Sequence, residues 1–553
     1  AGKVLANSIV SFDQVPSELW IAFKDKEEYM AKEKELLETL LLHKGGDKVM
    51  IALAKERQQK ALPIEYRVDA NNQFIEELKK TYSKGIIMTN LNINFKKMLK
   101  ETKFNAARII IVGFLWVIIV GTLILMLPVS SAKGQWTDFV TALFTATTST
   151  CVTGLVVVPT YAYWSLFGKV VILILIQLGG LGIISIATGV LIIIGKKINL
   201  KERRLIQETY NLDTSQGVVL HIIRIFSGTF AVEGIGAILY SFRFIPKYGV
   251  AKGVWYSVFH AISAFCNAGI DLLGDNSFMA YKGDVLINIT TMFLIVVGGM
   301  GFIVWWDILK NINNIRNKKY PLQKFSERLS LHSKIVLTVT AIAIFGGAIL
   351  TFAFEYNNPE TLGTLKTGEK ILASFFQSVT LRTAGFCTIN QAGLRNASVL
   401  LAFLLMLMGG SPMGTAGGIK TTTVALLFLD VKSVVTGKNA TEAFKRRINR
   451  DNIKNALAVM TMAISILMIA VIALTFTETG SLTKICYEAF SAIGTVGLSM
   501  NFTASLSLAG KLIIIVLMFF GRVGPITIVI ALARKRRIDQ HIKDLPEKKV
   551  LIG

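Results

Sequence analysis

Four short segments share a pattern whose chemistry would come from backbone oxygens rather than from side chains. Each segment centres on a glycine, and the four are Gly154, Gly269, Gly385 and Gly497. An aromatic residue stands ten positions before every one of these glycines, and a large apolar residue follows it. The glycines are 115, 116 and 112 residues apart. This near-constant spacing predicts an internal repeat with four copies.

Carbonyl oxygens that converge on one axis can replace the hydration shell of a small cation. Glycine adopts at low cost the backbone angles that such convergence needs. The three residues that end at each glycine are therefore candidate cation ligands through their backbone. They are Val152, Thr153 and Gly154, then Asn267, Ala268 and Gly269, then Thr383, Ala384 and Gly385, and finally Thr495, Val496 and Gly497. A single glycine would favour close helix packing instead, but four with the same flanking residues favour a ring.

The composition places these loops in a membrane protein. Of the 553 residues, 52% are hydrophobic and only 17% are charged, with a mean hydropathy of +0.54, whereas soluble domains carry about 25% charged residues. The formal net charge of +24 is explained by Lys and Arg in alternate loops, as the positive-inside rule describes, and nucleic acid is not an expected partner. The four cysteines show no metal-ligand spacing, so no metal site beyond the transported ion is predicted.

The apolar segments recur in a fixed order of long, short and long. A bilayer-spanning helix needs about 20 apolar residues, whereas 10–14 are typical of a re-entrant or buried segment. The long outer segments are 107–128, 217–243, 333–356 and 453–477. The short half-helices are 136–149, 254–265, 369–380 and 482–493, and the long inner segments are 165–195, 284–309, 397–430 and 509–532.

This order predicts an all-α polytopic membrane protein with eight spanning helices around a pseudo-fourfold pore. The repeats are expected at 105–196, 217–312, 332–432 and 453–535, with a cytosolic tail at 536–553. Residues 1–104 are expected to form a hydrophilic cytosolic arm that is partly helical, with a helix from Asp25 to Gln59. Basic residues concentrate in the joins between repeats and at 534–537. The joins and both termini are therefore predicted to be cytoplasmic, and the half-helices enter from outside.

Every inner segment is interrupted by a glycine cluster, and the third cluster is expanded. It runs from Gly409 to Lys420, and such a glycine-rich stretch with a proline cannot hold a stable helix. It predicts an unwound intramembrane loop at 409–418 below the glycine ring, hence a gate; a kink that helps packing is the alternative. The predicted gate residues of this loop are Gly410, Ser411, Pro412, Gly414, Thr415, Ala416, Gly417 and Gly418.

Single charged residues in apolar surroundings complete the set of candidates. Arg522 lies inside the fourth inner segment, where a charge is a functional hypothesis by default. It is predicted to donate to carbonyls of the gate loop, with a snorkelling structural role as the alternative. Asp271, two residues after Gly269, is predicted at the outer mouth, where it would attract cations. Arg382 is predicted to brace the third glycine loop from behind, and Glu233 to be a paired buried carboxylate.

These residues resemble those of the Trk/Ktr/HKT superfamily of potassium transporters. The resemblance rests on residues 148–155 (Thr-Ser-Thr-Cys-Val-Thr-Gly-Leu), on residues 263–271 (Ser-Ala-Phe-Cys-Asn-Ala-Gly-Ile-Asp), on the expanded third loop and on Arg522. It covers about 105–535. The Trk branch carries two additional spanning helices at its N-terminus, where this chain has a hydrophilic arm. The chain is therefore most similar to the Ktr-type membrane subunit.

The resemblance implies gated potassium uptake across the cell membrane. It implies a homodimer with one pore in each subunit, docked on a cytosolic ring of nucleotide-binding regulatory subunits that sense ATP, ADP or a cyclic dinucleotide. It also implies Na⁺ as an activator. Family members with Ser at the first loop position favour sodium, so Gly154 supports potassium. The sequence has no phosphate-binding loop of the Walker type, so a nucleotide would act only through the partner and no cofactor is expected in the chain.

Other functions remain open or are disfavoured by specific features. A sodium or ammonium conductor of the same architecture, or a sodium-coupled potassium symporter, fits the same residues. A secondary carrier with alternating access is disfavoured, because such carriers commonly have inverted repeats. An enzyme is not expected, because the pore region has no paired carboxylates and no nucleophile with a base.

Overall fold

The structure, a computed structural model, describes residues 18–23, 26–53, 58–69, 74, 78, 86–89, 106–194, 218–274 and 276–532. The chain divides into two units, Ala1–Phe104 and Asn105–Gly553. The basic residues of the first join, those at 534–537 and the predicted tail at 536–553 lie outside the described residues.

The first unit contains a four-stranded sheet. Strands β1 (Glu18–Phe23), β2 (Lys44–Leu53), β3 (Gln58–Ala61) and β4 (Ile86–Thr89) lie in the order β3-β2-β1-β4. β1 and β2 are parallel and are joined by a helix, Lys26–Leu42, while the two edge strands run antiparallel to their neighbours. Alternate residues of the central strands, such as Ile21, Val49 and Ile51, are buried in a common core, as the period of two along a strand requires.

The single helix predicted from Asp25 to Gln59 is wrong beyond Leu42. Residues Gly45 and Gly46 follow it, and glycine is a poor helix former. The next stretch ends in a short continuous apolar run at 49–53, which is compatible with a buried strand, and β2 begins at Lys44. The arm is therefore partly helical, as predicted, through Lys26–Leu42, and it also contains a β–α–β arrangement with its own core, which the sequence analysis did not predict.

The second unit is helical apart from one two-stranded hairpin (Glu442–Ala443 and Arg446–Arg447) in its described part. Its four long outer helices are Ala106–Met126, Val218–Tyr248, Leu331–Glu355 and Arg450–Thr477. Its four half-helices are Phe139–Thr150, Val250–Phe265, Thr367–Thr380 and Leu482–Gly494. Two single-turn helices, Thr160–Tyr163 and Phe325–Arg328, lie in connecting segments.

Every inner helix is split at its glycine cluster. The halves are Leu166–Leu181 and Ile183–Ile193, Val285–Gly299 and Phe302–Arg316, Asn396–Leu407 and Thr421–Val435, and Leu508–Val523 and Pro525–Leu532. In repeats 1, 2 and 4 the break falls at a glycine with a left-handed backbone, namely Gly182, Gly301 and Gly524 with φ of 83°, 91° and 89°. In repeat 3 a segment at 408–420, called the long loop below, separates the halves.

Within the described residues, four helices are long and apolar enough to cross a membrane unaided: Ala107–Met126, Ile222–Tyr248, Leu331–Glu355 and Arg450–Thr477. The two halves of the second inner helix, which meet at a bend of 100°, would count as a fifth span if taken together. Because the glycine breaks divide the inner helices into short pieces, the total of eight spans stays a prediction.

Carboxylates at the C-terminal ends of two outer helices tie these helices to the inner helices of the same repeat. Glu355, at the end of the third outer helix, accepts a hydrogen bond from the backbone N–H of Arg395 at 2.9 Å, one residue before the inner helix begins. Glu478 does the same for Ser507 in repeat 4 at 3.1 Å. A carboxylate favours the N-terminal end of a helix, where N–H groups lack partners. Each contact joins the two ends of the segment between an outer and an inner helix, and this segment contains the half-helix of that repeat.

Candidate functional site

The four glycines meet in a closed ring. A β-carbon placed on Gly154 would lie 2.5 Å from the carbonyl oxygen of Ala268 in the second loop. The equivalent atom on Gly385 would lie 2.6 Å from the carbonyl oxygen of Val496 in the fourth loop. Gly269 faces the carbonyl of the third loop and Gly497 that of the first in the same manner. Each glycine therefore abuts the residue before the glycine of the next loop, in chain order, until the ring closes.

The ring places backbone oxygens of four loops together and adds no charge. Ten of the twelve residues of the glycine loops (152–154, 267–269, 383–385 and 495–497) are buried, and Gly385 and Gly497 are half-buried. None of the twelve is acidic or basic. The described residues contain no cluster of His, Cys, Asp or Glu that could hold a metal ion. Such a ring offers neutral carbonyl oxygens, which are the ligands that cation selectivity filters use.

The glycine loops also share an unusual backbone. The residue two positions before each glycine has a left-handed conformation, with φ of 54° at Val152, 59° at Asn267, 68° at Thr383 and 51° at Thr495. Three of these residues are β-branched, and such residues rarely adopt positive φ. Strain of this kind costs on the order of 1–3 kcal/mol for each residue and clusters at functional sites. Its fourfold repetition marks the loops as the candidate site.

Hydroxyl groups at the ends of the half-helices hold the loops. Thr148 and Ser491 each accept a hydrogen bond from the N–H of their loop glycine at 3.0 Å. In the other repeats Ser263 and Thr380 donate to the carbonyl of the residue after the glycine, at 2.7 Å and 2.6 Å. These four residues were missed in the sequence, although the available signal was a polar residue five or six positions before each glycine.

A cavity of about 270 Å³ opens at one end of the ring. All four loop glycines line it, and so does Asp271, as the sequence predicts for a residue at the mouth. The carboxylate of Asp271 accepts a hydrogen bond from the N–H of Leu273 at 3.0 Å, which holds it in place. A carboxylate in this cavity would raise the local concentration of cations.

Polar groups behind the cavity brace the segments that follow the glycines. Glu488 accepts a hydrogen bond from the hydroxyl of Ser499 at 2.8 Å, and Ser499 lines the cavity. The ring nitrogen Nε2 of His260 accepts one from the N–H of Leu272 at 3.2 Å. The sequence did not identify Glu488 or His260 as bracing residues. A signal was present, because both directly follow the aromatic residue of their repeat.

The long loop lies against the broken second inner helix. The N–H groups of Ser411 and Thr415 donate to the carbonyls of Gly299 and Gly298, at 2.8 Å and 3.1 Å. In return the N–H of Phe302 donates to the carbonyl of Met413 at 3.1 Å. The break in one inner helix thus supplies the backbone partners that an unwound loop in another one needs.

The opposite end of the long loop contacts the fourth repeat. The N–H of Gly418 donates to the carbonyl of Gly521 at 3.1 Å. The ends of the loop are joined to each other, because the N–H of Gly409 donates to the carbonyl of Ile419 at 2.8 Å. The ammonium group of Lys420 donates to the carbonyl of Ala416 at 2.7 Å, across the loop. The loop is therefore held from both sides and from within.

Arg522 joins the long loop to the first repeat. One guanidinium nitrogen donates to the carbonyl of Thr415, and the other donates to the carbonyls of Gly179 and, at 3.0 Å, Gly180. This contact with a loop carbonyl is the one that the sequence suggests. The planar guanidinium suits two sets of acceptors at once. The glycine breaks of the first, second and fourth repeats thus converge around the long loop, which is the break of the third.

Arg382 and Glu233, the two remaining charged candidates, each contact a side chain on a neighbouring helix. The guanidinium of Arg382 donates to the hydroxyl of Thr340, on the third outer helix, at 3.5 Å. Glu233 is buried and accepts from the amide of Gln177 at 3.1 Å and 3.2 Å. The thiol of Cys266 also donates to its carboxylate, at 4.0 Å, so its partners among the described residues are an amide and a thiol and not a cation. Both groups contact elements outside the ring rather than its interior.

Comparison with known proteins adds an independent finding. The family described as "TrkH: Cation transport protein" matches residues 77–541 of this chain. The "Ktr system potassium uptake protein B" of Bacillus subtilis is 42% identical over 449 residues, which cover 81% of this chain and 97% of the relative. The "Potassium/sodium uptake protein NtpJ" of Enterococcus hirae is 39% identical over 462 residues, which cover 83% and 99%.

Among solved structures, the crystal structure of the potassium transporter TrkH from Vibrio parahaemolyticus matches with a TM-score of 0.56 and 16% identity. The match covers 76% of this chain and 84% of that one. At this level of identity the match shows a shared fold and no more. Together with the long apolar helices, it places the chain among multi-pass membrane proteins.

Proposed function

The chain belongs to the TrkH family of cation transport proteins, and from this premise we propose that it carries potassium into the cell through a gated pore. The observation that carries the proposal is the closed ring of four glycine loops, in which each glycine abuts a carbonyl of the next loop. Three relatives have potassium uptake in their names, which favours potassium as the ion.

In this proposal the glycine loops form the selectivity filter. A potassium ion leaves its hydration shell for the carbonyl oxygens of the twelve loop residues. The half-helices end at these loops, and the partial negative charge at their C-terminal ends favours a cation in the ring. Asp271 gathers cations at the outer mouth, and the membrane potential drives them inward.

The long loop is the gate of this pore. Its glycine-rich backbone is held by hydrogen bonds with neighbouring inner helices, mostly donated by loop N–H groups, and by a hydrogen bond that Arg522 donates. The backbone hydrogen bonds can be exchanged without a change in fold, because each contributes only about 0.5–1.5 kcal/mol in net terms. Opening would withdraw the loop from the ion path below the glycine ring.

The surrounding architecture is proposed to follow the fourfold repeat. Eight spanning segments surround the pore, the half-helices enter from outside, and the joins and termini face the cytoplasm. The third join exposes Lys438, Lys445, Arg446, Arg447 and Arg450 on its surface. Such a basic surface suits the cytoplasmic side.

Regulation is proposed to come from a separate protein. Relatives are named as parts of a "Ktr system", which supports additional subunits. We infer a homodimer that docks on a cytosolic ring of nucleotide-binding subunits, with the basic joins as its contact surface. A nucleotide would act on the pore only through that ring, and Na⁺ would act as an activator of transport.

The experiment that tests the function is rubidium uptake into proteoliposomes that contain the full chain. Potassium should compete with radioactive rubidium more strongly than sodium or ammonium does. A sodium-conducting protein is the second candidate, because the relative from Enterococcus hirae is named a potassium/sodium uptake protein. Uptake that is indifferent to potassium would rule out our choice, and stronger competition by sodium would favour the second candidate.

Gly154→Ser should weaken the preference for potassium over sodium roughly tenfold, equivalent to about 1.4 kcal/mol. A β-carbon at Gly154 would lie 2.5 Å from the carbonyl oxygen of Ala268, and the φ of +99° is unfavourable for serine. The first and second loops would therefore have to separate. The measurement is the concentration of each ion that halves rubidium uptake. Unchanged ratios would mean that this loop does not form the filter.

Deletion of residues 414–417 should raise uptake in the absence of any partner at least about tenfold, the effect of about 1.4 kcal/mol. The deletion removes the segment that contacts the second inner helix, the glycine loops and Arg522. Retention of an entrapped dye is the control for leaky vesicles. Uptake that stays low or falls would show that the long loop is structural and not occluding.

A further inference from the structure

We propose that the hydrogen bond between Asn267 and Thr415 couples the state of the gate to the ion preference of the filter. The inference rests on the proposed function and concerns the regulation of the same site. The hydroxyl of Thr415, in the long loop, donates to the amide oxygen of Asn267, in the second glycine loop, at 2.9 Å. Here a side chain of the predicted gate contacts a side chain of the predicted filter.

The same two residues have further contacts that extend the link in both directions. The amide nitrogen of Asn267 donates to the hydroxyl of Thr383, in the third glycine loop, at 3.4 Å. The backbone carbonyl of Thr415 accepts from Arg522. A continuous chain of hydrogen bonds therefore runs from Arg522 through the long loop to two of the four glycine loops.

Burial makes this contact sensitive to movement. Asn267 is 1% exposed and Thr415 is fully buried, so water does not readily replace a lost partner. The hydroxyl of Thr415 lies at 2.8 Å from the carbonyl of Phe265 as well as at 2.9 Å from the amide oxygen of Asn267. One hydrogen is shared by two acceptors, and withdrawal of Thr415 leaves both without it. A buried polar group that loses its partner is costly.

The position of Asn267 in its loop turns this loss into a change at the ring. Asn267 has a left-handed backbone, and the next residue, Ala268, presents the carbonyl that faces Gly154. Asn267 is itself one of the twelve residues whose backbone carbonyls are proposed to bind the ion, and its side chain is held by Thr415 on one side and Thr383 on the other. When Thr415 withdraws, the side chain of Asn267 loses one of these two restraints, and the backbone of the same residue is held less tightly in the ring. Opening of the gate therefore loosens the filter.

Equivalent positions in the other loops make no such contact. Val152 has no polar side-chain atom, and the hydroxyl of Thr495 has no hydrogen-bond partner among the described residues. Thr495 lies against Gly417 of the long loop, where even an added β-carbon would overlap its side chain. The fourth loop therefore touches the gate through packing alone. The polar coupling passes through the second loop.

The test compares Thr415→Val with Thr415→Ser in the full chain, reconstituted into proteoliposomes. The readout is the ratio of the sodium and potassium concentrations that halve rubidium uptake. Valine keeps the shape of threonine and removes the hydroxyl, whereas serine keeps the hydroxyl. We expect valine to lower the ratio about three- to tenfold, the size of one lost hydrogen bond, and serine to preserve it.

Thr421→Val is the matched control. Thr421 is also buried, and its hydroxyl pairs with that of Ser411 at 3.0 Å. This contact joins the long loop to the first residue of the helix that follows it, away from the glycine loops. Loss of this hydroxyl should loosen the gate and alter uptake without a change in the sodium-to-potassium ratio. A general loss of structure would instead shift the ratio in both valine variants, and thermal unfolding in detergent reports such a loss independently.

Asn267→Ala provides the second arm. The alanine and valine variants remove the same bond from opposite sides, so Asn267→Ala combined with Thr415→Val should shift the ratio no further than Asn267→Ala alone. Two additive shifts would overturn the coupling, and so would a ratio in Thr415→Val equal to that of the wild type. Either result leaves the proposed function standing. Uptake by the wild type that is indifferent to potassium would instead refute the proposed function itself.

Discussion

Gly269→Ala is expected to lower potassium uptake strongly. A β-carbon at this position would overlap the carbonyl oxygen of Ala384 and would lie 2.6 Å from the α-carbon of Gly385. Both are backbone atoms of the adjacent loop, so no flexible side chain can move aside. Overpacking alone costs roughly 1–3 kcal/mol, and we expect uptake to fall at least about tenfold, equivalent to about 1.4 kcal/mol.

The chain offers a control with the same backbone angle and free space. Gly134 has a φ of +66°, nearly that of Gly269 at +65°, but nothing lies within 4 Å of its β-carbon position. Gly134→Ala therefore carries only the local cost of a left-handed alanine, about 1–2 kcal/mol. Uptake and thermal unfolding should be measured for both variants. Equal uptake in the two would show that the contacts between adjacent loops are not what transport requires.

Arg522→Gln is expected to raise uptake in the absence of a partner at least about tenfold, the effect of about 1.4 kcal/mol. The guanidinium holds the long loop through Thr415 and the first inner helix through Gly179 and Gly180. Hydrogen bonds from a charged donor contribute about 1.5–3 kcal/mol each. Glutamine is shorter and uncharged, so it cannot hold both sets of carbonyls, and the closed position of the loop loses its anchor.

Arg522→Lys separates two explanations of the same increase. A lysine keeps the positive charge but has no planar fork that reaches both sets of carbonyls. If Arg522 closes the pore as a clamp, lysine should raise uptake as glutamine does. If the positive charge itself repels cations, lysine should keep uptake low. Uptake equal to that of the wild type in both variants would contradict a gating role for Arg522.

The sequence predicted the repeat because its signals are local. The distance from an aromatic residue to its glycine lies within one half-helix, and the length of an apolar segment limits what can span a bilayer. The breaks at Gly182, Gly301 and Gly524 follow from the same kind of local preference. For this reason the half-helices and the split inner helices lie near their predicted positions.

Predictions failed or remained incomplete where a contact decides the local structure. Lys44–Leu53 forms a strand because β1 and β3 pair with it on either side, and the amino-acid composition of the stretch still allowed a helix. The hydroxyls of Thr148 and Ser491 were overlooked because their importance depends on the loop that folds back onto them. Partners of this kind are visible only once the chain is folded.

By itself, the sequence determined that four glycine loops exist, that three inner helices break at a glycine and that the third carries a long loop with Arg522 as its candidate partner. Only the tertiary structure decided which loop faces which neighbour, and that Thr415 meets both Asn267 and Arg522. These partners lie 148 and 107 residues from Thr415 along the chain. No local pattern encodes contacts over such distances, because they depend on how all four repeats pack around one axis.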